Sequence, residues 1–244
     1  MTSSLLMLLT LASFLTATLS GFLGMGGGMV LLGVMAVVLP SAMVVPIHGV
    51  VQLCSNGTRS LLFVKDVNWP IFGFFALPSA LGLYAATLVW SGDKLDWFKP
   101  LIGLFILMFL AYRRYKPSLR NVPLWVYAPL GLVVGFLAIF VGAMGPFLAP
   151  FFLRDDFKKE NVIATKSVCQ LWVHFGKLPA FFALGFDYTA HADLLIWLVA
   201  AVVVGTYTGK ALLGRMSEAF FLKLFQVVLA GIAVVLIVDG WGIG

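Results

Sequence analysis

His48-Gly-Val-Val-Gln52-Leu-Cys-Ser-Asn56-Gly-Thr-Arg59 is a polar stripe laid through apolar sequence, and the chain carries it twice. The second copy is Lys166-Ser-Val-Cys-Gln170-Leu-Trp-Val-His174-Phe-Gly-Lys177. A shift of 118 positions superposes Gln170 on Gln52, Val168 on Val50, Leu171 on Leu53 and Lys177 on Arg59. In each copy the polar positions step by four, four and three residues, which puts them on one face of a helix. An ionisable group at membrane depth costs on the order of 2.5–3.5 kcal/mol by insertion scales. A cost met twice, at matching places in two halves, predicts a binding site built from a repeat.

Composition supplies the membrane. The 244 residues are 61% hydrophobic and only 11% charged, with a mean hydropathy of +1.05, whereas a soluble domain carries roughly 25% charged residues. Long unbroken apolar runs exclude the ten-residue alternation of an outer-membrane barrel. The net charge of +6 fits an excess of Lys and Arg in cytoplasmic loops and needs no nucleic-acid partner. Cys54 and Cys169 lie within apolar segments without CxxC spacing and are expected to be small buried residues. The first twenty residues carry no Lys or Arg ahead of their apolar run, which argues against a cleaved signal peptide.

Apolar segments run at 5–39, 44–63, 71–90, 97–112, 124–153, 161–183, 191–213 and 219–238. Most approach the roughly 20 residues of a bilayer-spanning helix. Segments 5–39 and 124–153 are longer and are interrupted, by Gly21-Phe-Leu-Gly24-Met-Gly26-Gly27-Gly28 and by Gly142-Ala-Met-Gly145-Pro146. The same shift carries Gly24 onto Gly142 and Gly27 onto Gly145. Further matches keep the order, with Asn68-Trp69 against Asp187-Tyr188, Gly82 against Gly205, and Trp97-Phe-Lys99 against Phe221-Leu-Lys223. The expected division is a first repeat at 1–115, a basic linker at 116–123 and a second repeat at 124–244.

Loop charge orients the repeats. The connection 113–120 holds Arg113, Arg114, Lys116 and Arg120 and is expected in the cytoplasm, as are 64–69, 154–160 and 210–217. Loops 40–46, 91–96 and 184–193 then lie outside, with both termini. This alternation requires each interrupted segment to return to the side it started from. The expected fold is therefore an all-α polytopic membrane protein of two inverted repeats, each a re-entrant helical hairpin plus three transmembrane helices.

Unwound backbone at membrane depth must be buried in protein or line a cavity. Half-helices expected after Gly28 and after Pro146 would present free N–H groups and a positive dipole end, an anion site. Glycine used for close helix packing is the competing explanation. Gln52, Asn56, Gln170 and His174 are too deep to snorkel and must face protein or a cavity. Arg59, Lys166 and Lys177 lie near helix ends, where snorkelling competes with a role in attracting an anion. His48 and His174 could exchange protons. All ten acidic residues fall in loops or at segment ends, so the ligand is expected to be an anion. No H-E-x-x-H, paired carboxylates or G-x-S-x-G supports an enzyme.

The glycine motif Gly21–Gly28, its second copy and the basic central loop resemble the sulfite exporter TauE/SafE family, also called the toluene-sulfonate uptake permease family. The likeness spans essentially the whole chain. It implies transport of small sulfur-containing anions such as sulfite, thiosulfate or organosulfonates. The second copy, Gly142-Ala-Met-Gly145-Pro146-Phe147, departs from the pattern by lacking three consecutive glycines. The expected protein is an inner-membrane secondary transporter, an exporter working by alternating access. An anion channel on the same scaffold and a proton-coupled uptake permease are the alternatives. Expected substrate contacts are Gln52, Asn56, Gln170 and His174, with backbone at Gly26, Gly27, Gly28, Gly145, Pro146 and Phe147. His48, Arg59, Lys166 and Lys177 would attract or gate the anion. No cofactor or metal is expected. The expected partners are a small anion and the lipid bilayer, while proton coupling and homodimer formation stay open.

Overall fold

The computed structural model describes residues 2–23, 26–90, 100, 103–104, 106–108, 110–111, 122–152, 154, 156–212, 227, 230–231, 233–234 and 236–238. Gly24, Trp97–Lys99, the loop 113–120 and Phe221–Lys223 lie outside the described residues. Among those described there is no strand. The helices are α1 (Ser3–Leu23), α2 (Gly27–Val38), α3 (Ser41–Leu62) and α4 (Trp69–Val89). They continue as α5 (in part, within 100–111), α6 (Tyr127–Val141), α7 (Gly145–Phe152), α8 (Lys159–Ala183), α9 (Ala192–Ala211) and α10 (in part, within 227–238).

Four stretches are long and apolar enough to cross a membrane: Ser3–Gly21, Trp69–Val89, Leu124–Val141 and Thr189–Ala211. At 1.5 Å per residue each reaches roughly the 30 Å of the hydrocarbon core. The chain is thus a multi-pass membrane protein. Helices α3 and α8, with 22 and 25 residues, are also long enough, but they carry the polar stripes.

Both interrupted segments break into two helices. Gly26, at φ 96°, and Gly142, at φ 85°, make the turns in a conformation that favours glycine. The half-helices start earlier than expected, at Gly27 and Gly145 instead of after Gly28 and Pro146. Each turn is completed ahead of those residues. Pro146 is tolerated in second place because the N–H it lacks has no helical partner there. Helix α2 then doubles back along α1, so closely that a Cβ on Gly27 would collide with the carbonyl oxygen of Thr16 and with Ser20 Oγ.

The packing comes in matched pairs. Helix α1 lies on α9 and α4 lies on α6, while α3 and α8 pack on each other. Glycines bring the outer pairs backbone to backbone. Gly205 and Gly209 face the carbonyls of Phe14 and Thr18, and Gly131 and Gly135 face those of Phe75 and Ser79. Small residues spaced four apart are a common way to pack helices in lipid, where apolar burial gives no net drive.

One end of the molecule is tied together by loops. Thr165 Oγ1 accepts from Asn68 N at 2.9 Å, and Asn161 Nδ2 donates to Asp66 O at 3.0 Å. Lys210 Nζ donates to Leu62 O at 3.2 Å and sits over the Phe63 ring. Arg154 donates to Val122 O at 2.8 Å and pairs with Asp156. Hydrogen bonding from that guanidinium holds the Asp156 carboxyl below the usual carboxylate range.

Candidate functional site

The polar stripes meet at the α3–α8 contact. Gly49 lies beside Lys177 and Gly57 beside Leu171, and the rings of His48 and His174 meet edge to face at 5.9 Å. The two helices therefore cross antiparallel. Arg59 and Lys166 share the other end of the crossing, within coulombic reach of each other. Arg59 is 3% exposed, Lys166 0% and Lys177 0%, so none of the three snorkels to the surface.

Between the stripes is a cavity of about 20 Å³, room for a single water. Ser20 of α1 and the breaks at Gly26, Gly28 and Gly145 complete its wall. The two glutamines lie against glycines at the starts of the short helices. A Cβ on Gly28 would come within 3.0 Å of Gln52 Oε1, and one on Gly145 within 2.8 Å of Gln170 Nε2. Bare glycine lets each amide reach a helix start, where backbone N–H groups lack intrahelical partners and the dipole is positive.

Neighbouring groups fix the side chains. His48 Nε2 donates to Gly28 O at 2.8 Å, tying α3 to the first break. Asn56 Nδ2 donates to Gln52 O at 2.9 Å. Arg59 Nη2 donates to Ser55 Oγ at 2.9 Å, and Ser55 Oγ lies 3.5 Å from Thr206 Oγ1 on α9. Four buried polar atoms of cavity-lining residues have no hydrogen-bond partner among the described residues: His48 Nδ1, Asn56 Oδ1, Arg59 Nε and His174 Nδ1. Among the described residues no carboxylate is buried. Two basic side chains that line one cavity, Arg59 from α3 and Lys166 from α8, make the interior attractive to an anion.

A family model described as sulfite exporter TauE/SafE matches residues 9–236, spanning both stripes and both breaks. The chain belongs to the sulfite exporter TauE/SafE family. No curated protein and no solved structure matches it.

In this TauE/SafE protein the structure brings ten of the expected residues onto one cavity: His48, Gln52, Asn56, Arg59, Lys166, Gln170, His174, Gly26, Gly28 and Gly145. Gly27 does not line it; its Cα faces α1 instead. Phe147 is 37% exposed and packs towards Phe151. The Pro146 side chain lies outside the described residues. Lys177 is buried beyond the cavity, and its Nζ donates to Gly142 O at 2.6 Å. Instead of facing the cavity it caps the C-terminus of α6, where carbonyls lack partners and the dipole is negative. Lys177→Met leaves that carbonyl without a donor and is expected to cost about 1–3 kcal/mol of stability, read as a lowered unfolding midpoint in detergent.

Ser20, Met29 and Ala143 also line the cavity and were not expected there. Ser55 and Thr206 were missed as supports of Arg59. One signal existed for Ser20. Ser13, Thr16 and Ser20 are spaced by three and four, a second polar helical face, and all three are buried.

Proposed function

We propose that this TauE/SafE protein is a secondary transporter, an exporter, of a small sulfur-containing anion such as sulfite, thiosulfate or an organosulfonate. The observation that carries the reading is the cavity itself. Two polar stripes, two helix starts and two buried basic side chains, Arg59 and Lys166, converge there. The family's description supports sulfur anions as the class.

The mechanism is alternating access between two inverted repeats, α1–α5 and α6–α10, around a central site. The antiparallel crossing of α3 and α8 supports this, because an axis in the membrane plane reverses equivalent helices. The matched packing of α1 on α9 and α4 on α6 supports it too. Each hairpin, α1–α2 and α6–α7, dips in and turns back at its glycine. A polyatomic oxyanion is several times larger than one water, so the 20 Å³ cavity must widen to admit it. Movement about the breaks at Gly26 and Gly142 would open it to one side at a time. The expected setting is the inner membrane with loop 113–120 in the cytoplasm and both termini outside.

Gln52→Ala and Gln170→Ala, made separately, should each lower sulfite flux in proteoliposomes about tenfold, the loss of roughly one hydrogen bond at 1.4 kcal/mol. Unchanged flux in both would make the stripe structural. Flux linear in concentration and driven by voltage alone would identify a channel instead.

A further inference from the structure

Two accepting atoms of residues that line the cavity have no donor among the described residues. Asn56 Nδ2 donates to Gln52 O at 2.9 Å, which fixes the amide's orientation and leaves the buried Oδ1 without a partner. Exchanging the amide's O and N would set oxygen against oxygen. Gly28 O can only accept, so the His48 Nε2 that faces it at 2.8 Å carries the hydrogen. That leaves Nδ1, also buried and without a partner, as the ring's accepting nitrogen. Arg59 Nε, three residues beyond Asn56 on α3, is a buried donor without a partner among the described residues. Asn56, His48 and Arg59 all line the cavity.

A ligand with acceptors alone does not match this wall. Sulfite dianion, thiosulfate and sulfonates accept hydrogen bonds at their oxygens and have none to donate, so Asn56 Oδ1 would meet them lone pair to lone pair. A buried acceptor left without a donor weakens binding by roughly 5- to 150-fold. Hydrogensulfite in its O–H form offers one donor and two charged accepting oxygens.

We infer that the cavity binds a protonated oxyanion of the hydrogensulfite class, its O–H donated to Asn56 Oδ1 and its anionic oxygens facing Arg59. The inference rests on reading this cavity as the substrate site. It gives the transport cycle a proton that travels on the anion itself, in the same direction, without a separate relay of side chains. Among the described residues, the charged and titratable groups around Asn56 and His48 are Arg59 on α3 and Lys166, His174 and Lys177 on α8. Among the described residues, α1 and α9 contribute Ser20 and Thr206 there, and α2 and α7 begin with glycines.

Methanesulfinate is the discriminating probe. It shares the single charge and pyramidal shape of hydrogensulfite but carries a methyl group where the latter has O–H. In competition for uptake into proteoliposomes, hydrogensulfite should win by about 100-fold or more, as sites built to bond a hydroxyl reject analogues lacking it. At fixed total sulfite, flux should track the hydrogensulfite fraction as pH rises. Asn56→Ala should narrow the preference about tenfold, and the wild-type comparison decides the matter should that variant fail to fold. Equal competition by methanesulfinate, or flux that follows the dianion, overturns the inference while leaving the cavity as the transport site. Transport of neither anion overturns the site assignment as well.

Discussion

Arg59→Met is expected to lower anion flux in proteoliposomes by about 100-fold and to leave the unfolding midpoint unchanged or raised. The two halves of that result have different causes. Arg59 lines the cavity with a free Nε and is held by Ser55 Oγ at 2.9 Å. A charge-assisted hydrogen bond from such a group contributes about 1.5–3 kcal/mol to a bound anion, or 10- to 150-fold. The same guanidinium is 3% exposed, and among the described residues no buried carboxylate offsets its desolvation. Replacing a buried charge by an apolar side chain of similar volume is often neutral or stabilising. Its partner, Ser55 Oγ, keeps Thr206 within reach. Lys177 differs, because its partner is a backbone carbonyl at a helix end that cannot turn to another donor. Flux and thermal melting measured on one preparation check this. Flux within twofold of wild type removes Arg59 from the site.

Gly27→Ala should prevent accumulation of folded protein, while Gly73→Ala, also in a helix, should be neutral or slightly stabilising. A Cβ at Gly73 meets nothing within 4 Å, and alanine gains up to about 1 kcal/mol over glycine inside a helix. A Cβ at Gly27 would overlap the backbone oxygen of Thr16. Overpacking typically costs about 1–3 kcal/mol where side chains can shift. A carbonyl fixed within α1 cannot rotate away, so α2 must leave α1 and the first hairpin opens. Yield and melting of the two variants side by side are the measurement. A Gly27→Ala protein as stable as Gly73→Ala would mean α2 does not lie against α1.

The stripes were legible because helical period and the cost of polar groups in lipid act on the same residues. His48, Gln52, Asn56 and Arg59 could be read as one face before any neighbour was known. The breaks were legible because glycine clusters inside apolar runs have few other uses. What those same glycines do individually was not. Gly28 faces a glutamine and Gly27 faces a helix, and spacing cannot tell adjacent residues on a turn apart. Lys177 was misread for a related reason. Its position on the stripe was visible, but the carbonyl it caps lies 35 residues away and is set by how α6 ends. Ser20 was overlooked because serine in an apolar helix carries no penalty large enough to stand out. The inverted relation of the two stripes followed from loop charge as an expectation, and only the packing of α3 on α8 brings the rings of His48 and His174 together.

The most direct measurement is a crystal structure with selenite, the heavier congener of sulfite, located by its anomalous scattering. The selenium is predicted within the ring formed by Gln52, Asn56, Arg59 and Gln170, beside the starts of α2 and α7, in a cavity wider than 20 Å³. A selenium site elsewhere, with that ring still closed to about 20 Å³, would contradict the assignment of the paired stripes as the anion-binding site.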